Sequence, residues 1–563
     1  MTPTIPNFQQ MDRPDPVLDI LQPQYQDLLD QLKNAEDGAA RYAVIQQWDA
    51  LRKQIHTWAA LVSLHFHQDT ENPEKRARRD ILNEMAPKLT HLDVQLKRAL
   101  LALENRANLE PYIGHHCFDL WEADARTFDP SIQEDLAEES KLCSAYTELR
   151  SSAKIPFQGE THNLSSIGKF LSEGDRNVRY QASKARWTFF EEHAEEFDEI
   201  FDKLVKLRTK IAHKLGYTSF TDLAYDRMNR TEYNADDVKV FREEIQKHIV
   251  PLAVALREQQ RARLGVDKLM AWDEPVTDPS GNPKPQGDVA WQTERAQAMY
   301  NDMHPALGAF FALMDEKSLL DLDTRPTKAG GGFCTSFPYW GVPFVFANFN
   351  GTKHDVTVLT HEIGHAFQFY QSREQPLLDY QSPTLEACEI HSMSLEFLCY
   401  PWMEKFFGDD ADRFRRVHLA DALEFLPYGA AVDHFQHLVY AKPEATPEER
   451  KQMWQEVEAL YLPDRDYGDL PHCSNGGLWQ QQLHIYEVPF YYIDYALAQS
   501  VALQFWALSK QDFPDALKRY VALCERGGEA AFTDLVTSTG LRSPFESGAL
   551  SAIVGPAREL LGI

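Results

Sequence analysis

The run His361-Glu362-Ile363-Gly364-His365 sets two imidazoles four residues apart with a carboxylate between them. On a helix, positions four apart lie one turn above one another on the same face. Both rings can then reach one zinc ion, with Glu362 beside the water that such an ion polarises. The chemistry implied is metal-assisted hydrolysis, most often of a peptide bond. A catalytic site of this kind needs a third protein ligand and one open position. Glu389, in the stretch SPTLEACEIHSMSLEF at 382–397, suits that place. Ser382 can cap a second helix there, Pro383 fits its first position, and Glu386 adds early negative charge. On that helix Glu389, Ser392, Met393 and Glu396 share a face. Two rivals stand beside Glu389. Glu386 lies one turn earlier and suits the acceptor of a ligand imidazole's second N–H. His391 points elsewhere, toward a substrate or into a buried network.

These residues need elements to hold them. Val356, Leu359, Ile363, Ala366, Phe367 and Tyr370 form one apolar helical face, and His361 and His365 lie on another, so this helix is half packed and half open. Gly364 within it costs up to about 1 kcal/mol relative to alanine, which points to a close crossing by another element. Upstream, GGGFCTSFPYWGVPFVFANFN at 330–350 is β-prone, and Phe344–Asn348 predicts a strand beside the histidine helix. Gly330, Gly331 and Gly332 lack the spacing of a phosphate loop. They read as a turn that lets backbone approach an extended substrate bound as an added strand. Gly331, Gly332, Phe344, Phe346, Ala347 and His391 are therefore the candidate substrate contacts, the alternative being an ordinary edge hairpin. Further on, HIYEVPFYYIDY at 484–495 crowds tyrosines around one histidine. His484, Tyr492 and Tyr495, with Tyr491 close behind, are neutral donors of the kind that steadies an oxyanion. The alternative is that they are core aromatics with satisfied hydroxyls.

The whole chain has 563 residues, 43% hydrophobic and 25% charged, as expected for a soluble globular protein. Its formal charge of −28 argues against nucleic acid or an anionic membrane as the main partner. Seven scattered cysteines without a close pair argue against a disulfide framework and a four-cysteine zinc site. Neither a secretory signal nor a run of eighteen apolar residues is seen, so a cytoplasmic setting is expected. Helical periodicity dominates. Val44, Trp48, Leu51, Ile55, Trp58 and Val62 make one stripe ending near Asp69–Pro73, and a second amphipathic segment runs from about Pro73 to Leu109. Val238, Phe241, Ile245, Ile249 and Leu252 make another, kinked by Pro251. Residues 153–168 read as a short hairpin or loop and 273–288 as a long surface connection.

Taken together, HEIGHAFQ at 361–368, EACEIHSMSLEF at 386–397 and HIYEVPFYYIDYALA at 484–498 resemble the M3 metallopeptidases, in particular the oligoendopeptidase F branch. AGGGFC at 329–334 and YTSFTDLAYDRM at 217–228 are similar to family segments as well. The resemblance implies a mainly α, elongated, two-lobed helical shell enclosing a deep substrate channel, with a small β element beside the zinc helix. An N-terminal helical lobe would span 1–200 and the catalytic domain 201–563. One zinc ion per chain would be held by His361, His365 and Glu389. Glu362 would be the base, Glu386 a support behind the ligands, and His484 with Tyr491, Tyr492 or Tyr495 the partners of the scissile carbonyl. The expected substrates are short unstructured peptides cut internally, with no nucleic acid or membrane partner, by a monomer or simple homo-oligomer. A zinc carboxypeptidase with a similar shell and an inactive peptide-binding protein remain as alternatives.

Overall fold

A computed structural model describes residues 3–563. The chain is mainly α-helical, with five short strands among the described residues. It gathers into two compact units, each built from three separate stretches. Unit 1 comprises 1–126, 284–412 and 501–541, and unit 2 comprises 127–283, 413–500 and 542–563. The expected boundary at residue 200 coincides with the edge of neither unit, because segments distant in sequence pack together within each.

In unit 1 the helices Gly38–Gln68 and Pro73–Leu101 meet at Asn72, whose side chain accepts hydrogen bonds from the amides of Glu74 and Lys75. The second helix stops at Leu101, short of the expected Leu109, and residues 106–109 form a 3₁₀ turn. Val44, Trp48, Trp58 and Val62 are buried as their spacing requires. One charge interrupts that stripe. Arg52 is buried over the Trp48 ring and pairs with Asp49 and with Asp379, at 3.1 Å from Nη1 to Oδ1 of the latter. Asp379 belongs to the loop that follows the histidine helix, so the N-terminal helices hold that loop directly. Asp49 accepts the Leu378 amide at 2.9 Å, and the Tyr380 hydroxyl donates to Ile113 O at 2.7 Å.

The strands β1 (Ile155–Phe157) and β2 (Glu160–His162) form the short antiparallel hairpin anticipated in 153–168. The strands β3 (Leu320–Asp323), β4 (Phe333–Phe337) and β5 (Val342–Phe349) form one sheet in the order β3-β5-β4. β5 contains the expected Phe344–Asn348 segment but is the central strand, parallel to β3 and antiparallel to β4. Its two edges are taken, and Phe344, Phe346 and Ala347 are buried in the core. These three residues therefore do not offer backbone to an added strand, and the edge strand is β4. In unit 2 the 238–252 stripe is realised as a helix Ala235–Glu244, a π-helical turn Ile245–Ile249 and a helix Val250–Leu264. Pro251, which has no N–H to donate, falls in the first turn of the last of these. Residues 274–287 hold neither helix nor strand, as expected of the long connection.

From β5 the chain enters the histidine helix, Lys353–Ser372, through a turn in which the buried Asp355 accepts the amides of Asn350 and Gly351 at 2.9 and 2.7 Å. The next helix, Leu385–Leu398, carries Glu389. It starts at Leu385 after Thr384, two residues later than the sequence signals at Ser382 and Pro383. Tertiary bonds claim the backbone just before Ser382. Gly528 N donates to Tyr380 O at 2.9 Å, and Gln368 Nε2 and Ser372 Oγ donate to Gln381 O at 3.1 and 2.7 Å. The two helices cross at Gly364, where a Cβ would lie 2.6 Å from both His391 O and Ser392 Cα. Those are backbone atoms that cannot swing aside. Gly364→Ala is expected to lose about 1–3 kcal/mol of stability by forcing the helices apart. Denaturant unfolding of the two proteins measures this, with weaker divalent-metal binding as the accompanying sign.

Candidate metal centre

The helix crossing brings His361, His365 and Glu389 together. Their ligand atoms all lie within 4.8 Å of one another. Both ring Nε2 atoms face one carboxylate oxygen: Glu389 Oε2 is 3.3 Å from His361 Nε2 and 3.4 Å from His365 Nε2. Ser392 Oγ donates to the same oxygen at 2.9 Å and to the Glu389 carbonyl at 3.0 Å, which fixes the side chain's direction. Behind the first ring, His361 Nδ1 meets Glu396 Oε1 at 2.7 Å. The carboxylate that orients His361 is thus Glu396, two turns beyond Glu389 and outside the residues expected to support the ligands. Glu386 is itself buried on the same helix. Burial opposes charge on His361, but the bonds to Glu389 and Glu396 outweigh it and hold the ring's pKa well above 6.5. Burial likewise opposes charge on Glu389, and the two histidines outweigh it, keeping this carboxyl well below the usual range. The convergence of these groups sets two imidazole nitrogens and a carboxylate oxygen around one point.

Glu362 is buried beside this point, and its Oε2 has no hydrogen-bond partner in the protein. Burial raises its pKa, with the neighbouring histidines pulling the other way. Gly332 sits against it, since a Cβ there would lie 3.6 Å from Glu362 Oε1 and 3.2 Å from Val358 Cγ1. The glycine turn is tied down by Asn348 Nδ2, which donates to Ala329 O and Gly331 O, both at 2.8 Å. Gly331 has φ +93°, a conformation open to glycine at no steric cost. Edge strand β4 therefore begins beside Glu362. His391 does not reach a substrate. It is 1% exposed, its Nδ1 bonds Ala387 O at 2.8 Å, and burial depresses its pKa to about 4, so a neutral ring fills the core behind the crossing.

In unit 2, His484 lies on the short helix Leu483–Glu487, Tyr492 and Tyr495 on the first turn of the helix Tyr492–Gln511, and Tyr491 just before it. Ring centroids place His484 4.9 Å from Tyr492 and 5.8 Å from both Tyr491 and Tyr495. Tyr486 separates from this group. It is fully buried and stacks on Tyr146 at 3.8 Å. The turn before the tyrosines holds Phe490 at φ +68°, unusual for a bulky residue. It is kept there by Gln436 Oε1 accepting the Phe490 amide at 2.8 Å and by Arg230 donating to Phe490 O, also at 2.8 Å. Arg230 also pairs with the buried Asp494. His484 Nδ1 is 2.7 Å from Gln482 Nε2, whose Oε1 accepts from the Tyr428 hydroxyl at 3.0 Å. Gln482 was not singled out from sequence, although its place two residues before His484 was a signal.

Residues 8–128 match the peptidase M3 N-terminal domain, and residues 169–286 and 292–554 match peptidase family M3. The chain belongs to peptidase family M3. It is similar to the solved structure of PZ peptidase A with an inhibitor, at 45% identity over 99% of each chain and a TM-score of 0.93. A structure described as an oligoendopeptidase F is 46% identical over 99% of each chain, also with a TM-score of 0.93. Another so described, from Bacillus anthracis strain Ames, is 40% identical over 99% of this chain and 98% of its own, with a TM-score of 0.89. A search of curated proteins returned no match. Among the described residues of this M3 peptidase, no helix is long and apolar enough to cross a membrane.

The donor set suits a zinc ion. Two imidazole Nε2 atoms and one carboxylate oxygen converge, Glu396 directs the first imidazole, and the orphaned Glu362 oxygen is buried beside them. Glu396→Gln is expected to weaken zinc binding about 10–100-fold with little loss of helix content. Competition with a chelator of known affinity, alongside circular dichroism, measures it. A second expectation concerns His484. Burial first, and then the charge of Arg150, push its pKa down to about 4 from 6.5. The folded state therefore binds fewer protons than the unfolded chain between these values, and stability is lost as pH falls through that window. An NMR titration should show the ring neutral above pH 5, with Arg150→Gln moving the midpoint upward.

Proposed function

We propose that this M3 peptidase is a zinc-dependent endopeptidase of the oligoendopeptidase F branch, cutting internal bonds of short unstructured peptides. The observation that carries the reading is the convergence of His361, His365 and Glu389 beside the unpartnered, buried Oε2 of Glu362. A zinc ion held there would supply Lewis acidity toward the scissile carbonyl and acidify the attacking water. The chain's own groups do the rest. An extended peptide adds to the free edge of β4, where Gly331 and Gly332 let backbone come close to Glu362. Glu362 Oε2 takes a proton from the water as it attacks and passes it to the departing amine nitrogen. His484 and a phenol of the group Tyr491, Tyr492 and Tyr495 donate to the oxygen on which negative charge develops. Their neutrality suits this, because a donor that carries no net charge can serve substrate and oxyanion alike. An enclosed channel that admits short peptides and excludes folded proteins belongs to this proposal and is supported by family membership. Seven free thiols support a reducing, cytoplasmic setting.

The test is an internally quenched peptide blocked at both ends, assayed with zinc and after chelation, with the fragments weighed. Internal cleavage that stops on chelation is expected. Failure to cut the blocked peptide, with loss of single residues from a free C-terminus, would turn the assignment to a carboxypeptidase. Glu362→Gln should keep zinc while slowing turnover about 10²–10⁴-fold. Normal turnover by that variant with zinc bound would remove Glu362 from the base role.

A further inference from the structure

A neutral imidazole carries one N–H and one lone pair, and the group that meets one ring nitrogen decides which nitrogen holds the proton. For His484 that group is Gln482. Its amide Nε2 lies 2.7 Å from His484 Nδ1. Among the described residues, nothing bonds the ring's Nε2. An amide nitrogen offers hydrogens and accepts none. Nδ1 therefore accepts, and the single proton of the ring sits on Nε2. The direction of the Gln482 amide is set from its other end. Gln482 Oε1 accepts from the Tyr428 hydroxyl at 3.0 Å, and among the described residues this hydroxyl has no other acceptor. Turning the amide over would strand the phenol hydrogen, an arrangement that protein interiors avoid.

The surroundings agree with that direction. Gln481 turns its Oε1 to Arg186 Nη2 at 2.9 Å, because a guanidinium can only donate, and this leaves its amide nitrogen to face elsewhere. Burial pushes the Tyr428 hydroxyl up to about 12, opposed by the charge of Arg465 and by a hydrogen bond from Gln481. The phenol thus keeps its proton and gives it to Gln482. Both ends of the contact are held by the fold. Gln482 precedes the helix Leu483–Glu487 in an extended conformation, and its side chain makes no capping bond there. Its amide donates to Trp479 O at 2.9 Å, and its carbonyl accepts the Ile485 amide at 3.2 Å. Tyr428 stands on the helix Ala411–Ala441 beside Gly429, where a Cβ would lie 3.2 Å from the Cβ of Ala496. That close pass sets the Tyr428 ring 5.8 Å from the Tyr492 ring, edge to face at 90°.

We propose that Gln482, oriented by Tyr428, is a positioning residue that holds His484 as the neutral tautomer protonated on Nε2, the form able to donate to the substrate oxygen on which charge develops. This rests on the role given to His484 in the peptidase reading above. Gln482 touches neither substrate nor metal in this scheme, and the ring keeps its proton throughout. The opposite tautomer in the same place would turn a lone pair toward the oxyanion and repel it. Correct placement of the ring is therefore not enough, just as a triad histidine held in the wrong tautomer loses most of its rate. The same contact disfavours a charged ring, since a proton on Nδ1 would face the hydrogens of the Gln482 amide.

The experiment labels the histidines of the zinc enzyme with ¹⁵N and reads the tautomer from couplings between ring protons and nitrogens, the His484 signals being found by comparison with His484→Gln. At neutral pH the unaltered enzyme should show a protonated Nε2 and a bare Nδ1. Gln482→Glu keeps the shape and the bond from Tyr428 but offers Nδ1 an acceptor, so the ring proton should move to Nδ1. Its kcat on a quenched peptide should fall about 100-fold in mildly alkaline solution, with KM and zinc content little changed. The deficit should shrink as pH falls and the ring becomes an imidazolium that donates from both nitrogens. Tyr428→Phe, which frees the amide to turn over, should give mixed tautomers and an intermediate kcat. A bare Nε2 in the unaltered enzyme would overturn the proposal, and that measurement needs no variant to fold. A Gln482→Glu enzyme whose ring changes tautomer while kcat stays at the unaltered value would overturn the positioning role. Normal kcat in His484→Gln would instead refute the place given to His484 in the peptidase reading, and the role of Gln482 with it.

Discussion

The close crossing of two helices at Gly364 is the constraint on which the site depends. His361 and His365 reach a common point only because Glu389 comes to them from a helix whose backbone passes within contact distance of position 364. That approach has consequences on both sides. Toward the site, it lets one carboxylate oxygen face two imidazoles. Toward the core, it seals His391 away and leaves the carbonyl of that residue to be satisfied by the hydroxyl of Tyr520 at 2.9 Å. A side chain at 364 would have to be accommodated by moving backbone, and cores packed near crystalline density offer little room for that.

Buried charge is handled differently in the places where this protein uses it. Arg52 between Asp49 and Asp379 is a closed arrangement that fixes the loop behind the histidine helix. In the cluster of His361, Glu389 and Glu396, once the ring is neutral as a ligand must be, the two carboxylates leave two negative charges, which is the electrostatic demand that a divalent cation answers. Glu362 is kept apart from both kinds, with an oxygen free of protein bonds. A carboxylate that must gain and lose a proton in each cycle is hindered by strong fixed partners, so this isolation matches the base role proposed for it.

Much of the candidate site was legible in sequence because it depends on helical period. Four-residue spacing puts two histidines on one face in any helix, and a small residue between them signals a close neighbour. Glu389 was readable because a second helix with a ligand near its start follows after a short loop. What escaped was set by tertiary geometry. Glu386 and Glu396 both lie on the Glu389 helix, and the angle and depth of the crossing decide which meets His361 Nδ1. The cap at Ser382 was overridden by bonds from Gly528, Gln368 and Ser372 to the preceding backbone. The place of β5 in its sheet was missed, although VPFVFANF is apolar on both faces, the mark of a strand with neighbours on each side. Buried Arg52 in an otherwise apolar stripe could not be foreseen, since its partner Asp379 lies more than three hundred residues away.

The loop between the two ligand helices is closed from behind by residues far downstream. Gly528 binds Tyr380 O, Tyr520 binds His391 O, and Gly527 packs against Tyr380 and Ser372. A ribosome making this chain releases His361, His365 and Glu389 well before it releases these supports. The nascent polypeptide therefore displays the full set of ligands for some time without the scaffold that aligns them. A product terminated before position 520 would carry the signature pentapeptide yet lack the backing that shapes its site.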